Sequence, residues 1–244
     1  MIHAGPEWGA LLPYVREYAV FGGMVLGALI LGATPLGRPL GWAETFYHEL
    51  SHGIMCLVTL GKIDHIALYL KGGGVCAYRG GFRPLVAFSG YAGAALWGAV
   101  LYIIGANVNS SLAVLWLEVE IGVLAVAYLF FVRKLDVQTT LILALLGLIY
   151  AAALVYPRAF LLPWILQFMG IYVMLNAIRA PLFLLDGKHV GDGATLADIF
   201  VVVPEVVWVL IWFVFALAAL GWCAMQTLPG LAGVVHSVTV LRPF

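Results

Sequence analysis

The chain has 244 residues, no formal net charge, 64% apolar residues and only 10% charged ones, with a mean hydropathy of +1.06. A soluble domain carries roughly 25% charged residues, so the composition excludes a soluble globular fold and indicates an integral, multi-pass membrane protein. The balanced charge offers no basic surface to nucleic acid, and Cys56, Cys76 and Cys223 form no C-x-x-C pair that would suggest a disulfide framework.

Apolar runs of spanning length fall near 18–34, 42–61, 84–106, 112–132, 139–156, 160–178 and 205–225. A bilayer core takes about 20 residues of helix. The sequence therefore predicts an all-α polytopic membrane protein of about seven transmembrane helices, in a single membrane domain over 1–244. The first run has no basic segment before it and reads as a retained helix, not a cleaved signal peptide. If the runs alternate, Arg16, Lys62, Lys71, Arg79, Arg83, Arg133, Lys134, Arg179 and Lys188 share one side, and Arg38, Arg158 and Arg242 the other. The positive-inside rule then puts the richer side, and the N-terminus with it, in the cytoplasm.

The second run holds the most informative feature, His48-Glu49-Leu50-Ser51-His52, an H-E-x-x-H sequence. Residues four apart share a helix face, so two imidazoles at this spacing can hold one divalent metal, with Glu49 placed to take a proton from water. Six histidines and seven glutamates would assemble the motif by chance in only about 0.004 sequences of this composition. Ionisable residues inside a membrane span are costly and mark function by default. The site predicted here is a zinc centre.

After this helix, Ile63 to Leu70 and Val75 to Tyr78 bracket Lys71-Gly72-Gly73-Gly74, which predicts a small β-hairpin. Such a hairpin offers an edge to which an extended peptide can add as a strand. In the third run, Ser89-Gly90-Tyr91-Ala92-Gly93 and Gly98 read as a close helix-packing face. Glu118 and Glu120 point to different sides of the fourth run and are expected near the outer interface. Tyr156-Pro157-Arg158 predicts a tight helical hairpin. Glu205, behind Pro204, reads as a first-turn residue of the last span, and His3 and His236 carry no signal.

A catalytic zinc takes three protein ligands and an open position, so a third ligand must come from elsewhere. The stretch from Asn176 to Gly193 supplies Asp186, at the end of an apolar run, with His189 and Asp192 as competitors; Asp64 and Asp198 are less well placed. Both Asp186-Gly187 and Asp192-Gly193 are also ordinary turn dipeptides.

Three of these segments together resemble the site-2 protease-like intramembrane zinc metalloproteases, over roughly residues 42–200. His48-Glu49-Leu50-Ser51-His52-Gly53 matches the family's H-E-x-x-H-G. The hairpin and Ser89 to Gly93 look like the family's segments just C-terminal to that helix, and Pro181 to Asp186-Gly187 looks like the end of N-x-x-P…L-D-G. Asn176 departs from the pattern, lying two positions further from the aspartate than the family's asparagine, and the segment Gly191 to Ala197 looks more like a compact, divergent branch without a PDZ domain. The resemblance implies an intramembrane endopeptidase whose substrate is a membrane protein and whose solvent is the lipid bilayer. It implies Zn2+ held by His48, His52 and Asp186, with Asp192 as the alternative third ligand, and Glu49 as the general base. Asn176 or His189 would then lie near the oxyanion. Two alternatives are a seven-span prenyl-protein-type zinc protease, which would need Glu118 or Glu120 as a ligand, and a non-catalytic metal-binding scaffold or transporter.

Overall fold

The computed structural model describes residues 8–107, 110–133, 136–155 and 159–228. The Tyr156-Pro157-Arg158 connection, His3 and His236 lie outside the described residues. The helices are α1 (Trp8–Gly32), α2 (Arg38–Val58), α3 (Arg83–Asn107), α4 (Ser110–Phe131), α5 (Val137–Val155), α6 (Leu162–Arg179), α7 (Asp192–Ile199) and α8 (Glu205–Thr227). Strands β1 (Lys62–Leu68) and β2 (Gly74–Arg79) form the expected antiparallel hairpin between α2 and α3.

Among the described residues, five helices are long and apolar enough to cross a membrane: α3, α4, α5, α6 with the 3-10 turn that extends it to Asp186, and α8. The count rises to six, not seven, because the first two apolar runs form one broken pair bent by 104°. Thr34-Pro35 interrupts the first helix, since proline cannot continue its hydrogen-bond ladder. α2 also carries too many polar groups to read as a plain span. Leu129, Phe130, Leu148, Leu210 and Val214 point outward, as an apolar solvent requires.

α3 and α6 form the central pair, and their small residues let the backbones touch. A Cβ on Gly98 would lie 2.9 Å from the Gly170 carbonyl oxygen, and one on Gly170 would lie 2.5 Å from the Tyr102 nitrogen. The packing role expected of the third run is what its Gly98 performs.

The hairpin folds back along α2. Its turn reaches the start of α2, where Trp42 Nε1 donates to the Leu70 carbonyl at 3.4 Å. Its open end, where Lys62 faces Arg79, lies by the helix's end. The turn end of β1 is held by α5: the Leu68 N–H donates to Thr139 Oγ1 at 2.8 Å and the Leu70 N–H to Gln138 Oε1 at 3.2 Å. This arrangement lends the strict alternation of charges no support. Arg38, expected opposite to Lys71 and Arg179, lines one cavity of about 340 Å³ with both.

The fourth helix also departs from expectation. Glu118 is exposed, but Glu120 is only 2% exposed and accepts a hydrogen bond from the Tyr47 hydroxyl at 2.8 Å. Tyr150 stands 3.3 Å from that hydroxyl. A carboxylate facing protein needs such a donor, and Tyr47, on α2, supplies it.

Candidate metal centre

α2 is a helix that buries almost its whole middle circumference, including Glu44, Tyr47, Glu49, Ser51 and His52. Its polar groups are satisfied one by one. Ser51 Oγ donates to the Tyr47 carbonyl at 2.7 Å. His52 Nδ1 lies 2.6 Å from the Val86 carbonyl, so that nitrogen carries the proton and donates it. The tautomer this fixes leaves the Nε2 lone pair free, the arrangement in which a histidine ligates metal. His52 Nε2 and His48 Nε2 are 3.0 Å apart, and the His48 ring stands edge-on to Tyr91 at 4.4 Å.

The carboxylate that meets these imidazoles belongs to Asp192. Its Oδ2 lies 3.2 Å from His48 Nε2 and 3.2 Å from His52 Nε2. One donor atom from each of the three residues fits within 4.8 Å, a group that could hold a metal ion.

Local structure explains why Asp192 arrives here. Gly191 has φ +107°, a conformation that favours glycine, and it turns the chain into α7 with Asp192 as the first helical residue. α7 is anchored by Leu196, which is buried with Ala87, Ala92 and Trp212. The aspartate therefore faces α2 instead of capping its own helix, and no side-chain cap is made.

Asp186, the residue favoured from sequence, is placed elsewhere. It is exposed and turned toward its own loop, where its Oδ2 accepts from Lys188 Nζ at 2.7 Å and its Oδ1 from the Lys188 N–H at 2.9 Å. The physical reason is that the 3-10 turn Ala180–Asp186 and Gly187, at φ +80°, reverse the chain before it reaches the histidines. His189 is also outside the group: its two ring nitrogens lie 3.2 Å from Glu205 Oε2 and 3.1 Å from Asp198 Oδ1. Asn176 accepts from Arg179 at 2.5 Å and lines the neighbouring cavity instead. Glu118 and Glu120 are not among the groups that meet the histidines, which removes the ligand set required by the prenyl-protein-type alternative.

Glu49 is 5% exposed and rests on the hairpin. The Cys76 backbone N–H is turned toward its carboxylate. A Cβ on Gly74 would come within 2.8 Å of its Cγ. Strand β2 thus forms one wall of a cavity of about 680 Å³ that contains His48, Glu49, His52 and Asp192.

Three contributors were not singled out from sequence. Val86 acts through its carbonyl and Cys76 through its N–H, and backbone groups leave no signal in residue identity. Glu44 did leave one: it precedes His48 by four residues, lies 8% exposed, and lines the same cavity.

The Peptidase M50B-like family model matches residues 21–223, and the chain belongs to that family. No curated protein and no solved structure matches it.

Proposed function

We propose that this member of the Peptidase M50B-like family is an intramembrane zinc endopeptidase that cleaves a peptide bond in or near a transmembrane segment of another membrane protein. The observation that carries this reading is the convergence of Asp192 on His48 and His52, with the Glu49 carboxylate buried beside them. In a tetrahedral site with bonds of about 2.0–2.1 Å, neighbouring donor atoms stand roughly 3.3 Å apart. The three separations here are 3.0, 3.2 and 3.2 Å, so the donor set fits zinc. Asp192 takes the place that the sequence resemblance gives to Asp186.

When bound, zinc polarises a carbonyl oxygen and brings the pKa of a water toward neutrality. Glu49 accepts the proton of the attacking water and returns it to the leaving amine nitrogen as the C–N bond breaks. The Cys76 N–H orients that carboxylate, and the Val86 carbonyl holds the His52 ring. A substrate helix has its carbonyls already bonded, so it must open before it can react. The turn end of β1 is held by Thr139 and Gln138, and β2, which walls the cavity, is the edge along which an opened segment pairs.

The purified protein should hold about one zinc per chain. Glu49→Gln should keep that zinc and lose cleavage of a single-span substrate in lipid vesicles, because an amide accepts no proton. Stoichiometric zinc in a His48→Ala/His52→Ala variant, or full cleavage by Glu49→Gln, would refute the reading.

A further inference from the structure

Next to the catalytic cavity lies the smaller one, of about 340 Å³, and its lining is cationic: Arg38, Lys71 and Arg179 against the single carboxylate of Glu44. Among the described residues, the Lys and Arg side chains in ion pairs are Arg79, with Asp64, and Lys188, with Asp186. Within that set, none of the three cavity cations has a carboxylate oxygen within 4.0 Å. Arg179 donates to the neutral amide oxygen of Asn176. Glu44, buried in the wall, is the one carboxylate in the lining, and among the three cations its charge interaction is with Arg179.

The two cavities share a wall. Glu44, Thr45, Ala180 and Phe183 line both. The hairpin also leads from one to the other: Cys76, Val75, Gly74 and Gly73 border the catalytic cavity, and Gly72 and Lys71 border the cationic one. Its turn is tied on two sides, by Trp42 and Gln138 at Leu70, so Lys71 projects from a fixed base. A chain extended along β2 advances about 3.3 Å per residue and covers the distance from Cys76 to Lys71 in roughly four or five residues.

We propose that this cavity is a subsite for an acidic stretch of the substrate, about three to five residues from the bond that is cut. The proposal rests on the endopeptidase reading and adds a substrate class to it: membrane segments with Asp or Glu on the flank that runs toward the hairpin turn. Three cations without a carboxylate oxygen within 4.0 Å attract an anionic side chain, Arg179 from a half-buried position and Arg38 and Lys71 from exposed ones, where salt screens them more. Complementary charge of this kind sets selectivity and register along the strand.

The test uses single-span peptides with one apolar core, carrying Asp, Asn or Lys at about three to five positions on either side of its centre. They are reconstituted with the full-length protein in phosphatidylcholine vesicles. The wild-type protein should cut peptides with Asp on one flank faster than those with Lys, on the order of tenfold. Glu49→Gln protein should retain the peptides in the same order. Arg38→Glu/Lys71→Glu, both at exposed positions, should keep its zinc and reverse the preference, and about 1 M salt should flatten it. Equal cutting and retention of Asp and Lys peptides would overturn the proposal, as would a preference unchanged in the double variant. Binding of phosphatidylglycerol that the double variant loses, without any peptide preference, would assign the cavity to lipid headgroups and also overturn it. Charge-ordered retention without any cutting by the wild type would sink the endopeptidase reading and leave the acidic-peptide site standing.

Discussion

A Cβ on Gly90 would lie 2.5 Å from His52 Nε2 and 2.6 Å from His48 Nε2. The backbone of α3 is therefore the floor of the donor group, and any side chain there would occupy the place where the donors converge. Gly90→Ala should improve helix propensity by about 1 kcal/mol and yet empty the site. Circular dichroism should show an unchanged helix content while bound zinc falls far below one per chain; full zinc in this variant would mean the floor is not where the geometry puts it. Asp192→Ala should likewise lose zinc. Removing an outer partner of a ligand already costs roughly 10–100-fold in metal affinity, and removing a ligand costs more. Asp186→Ala should leave zinc content unchanged, and the opposite pattern in a metal titration would return the ligand to Asp186. At this scale the two histidines and Glu49 were readable because a spacing of four is itself geometry. The third carboxylate was not, since Asp186 and Asp192 both precede a glycine, and only the anchoring of α7 through Leu196 separates them.

Elements explain how these side chains are presented. α7 and α8 are bridged by His189, whose protonated ring is favoured by Asp198 and then Glu205, so its pKa is raised above the ordinary histidine value. A raised folded pKa means that the bridge contributes fully below the unfolded value of about 6.5. The contribution is lost as pH climbs through the folded value. Melting temperatures of the wild type and His189→Gln should differ at about pH 5 and converge by about pH 9; a gap that widens with pH would reverse the assigned sign. The hairpin was readable as an element, from β-prone runs around three glycines. Its function as a shelf for Glu49 was not, because the contact is made by the Cys76 N–H and by the missing Cβ of Gly74. Glu120 was misplaced for a related reason: its partner Tyr47 stands 73 residues away in sequence, and local spacing says nothing of such a pair.

At the scale of the whole molecule, hydropathy located every long helix but miscounted the spans. An apolar run announces burial, and α2 is buried largely by protein. Charge counting finds no support at the same place. It treats Lys62, Lys71, Arg79 and Arg83 as one loop, although the hairpin extends about 20 Å and returns Lys71 to the level of Arg38. The variants Arg38→Cys and Lys71→Cys, each adding one exposed cysteine, should consequently react with an impermeant maleimide from the same side of sealed vesicles. The native Cys56, Cys76 and Cys223 are buried and should give little background. Labelling of the two from opposite sides would restore the alternating seven-span topology.

The donor group has a mechanical consequence. His48 and His52 ride on α2, near the start of the described chain, and Asp192 rides on α7, near its end. An ion shared between them is a non-covalent cross-link that closes a circuit through the hairpin and α3 to α6. Closing so long a circuit restricts the unfolded chain, and each increment of free zinc above its dissociation constant deepens the folded basin by mass action. The ion that would activate the water would then also be the rivet that keeps the last short helix seated against the first part of the fold.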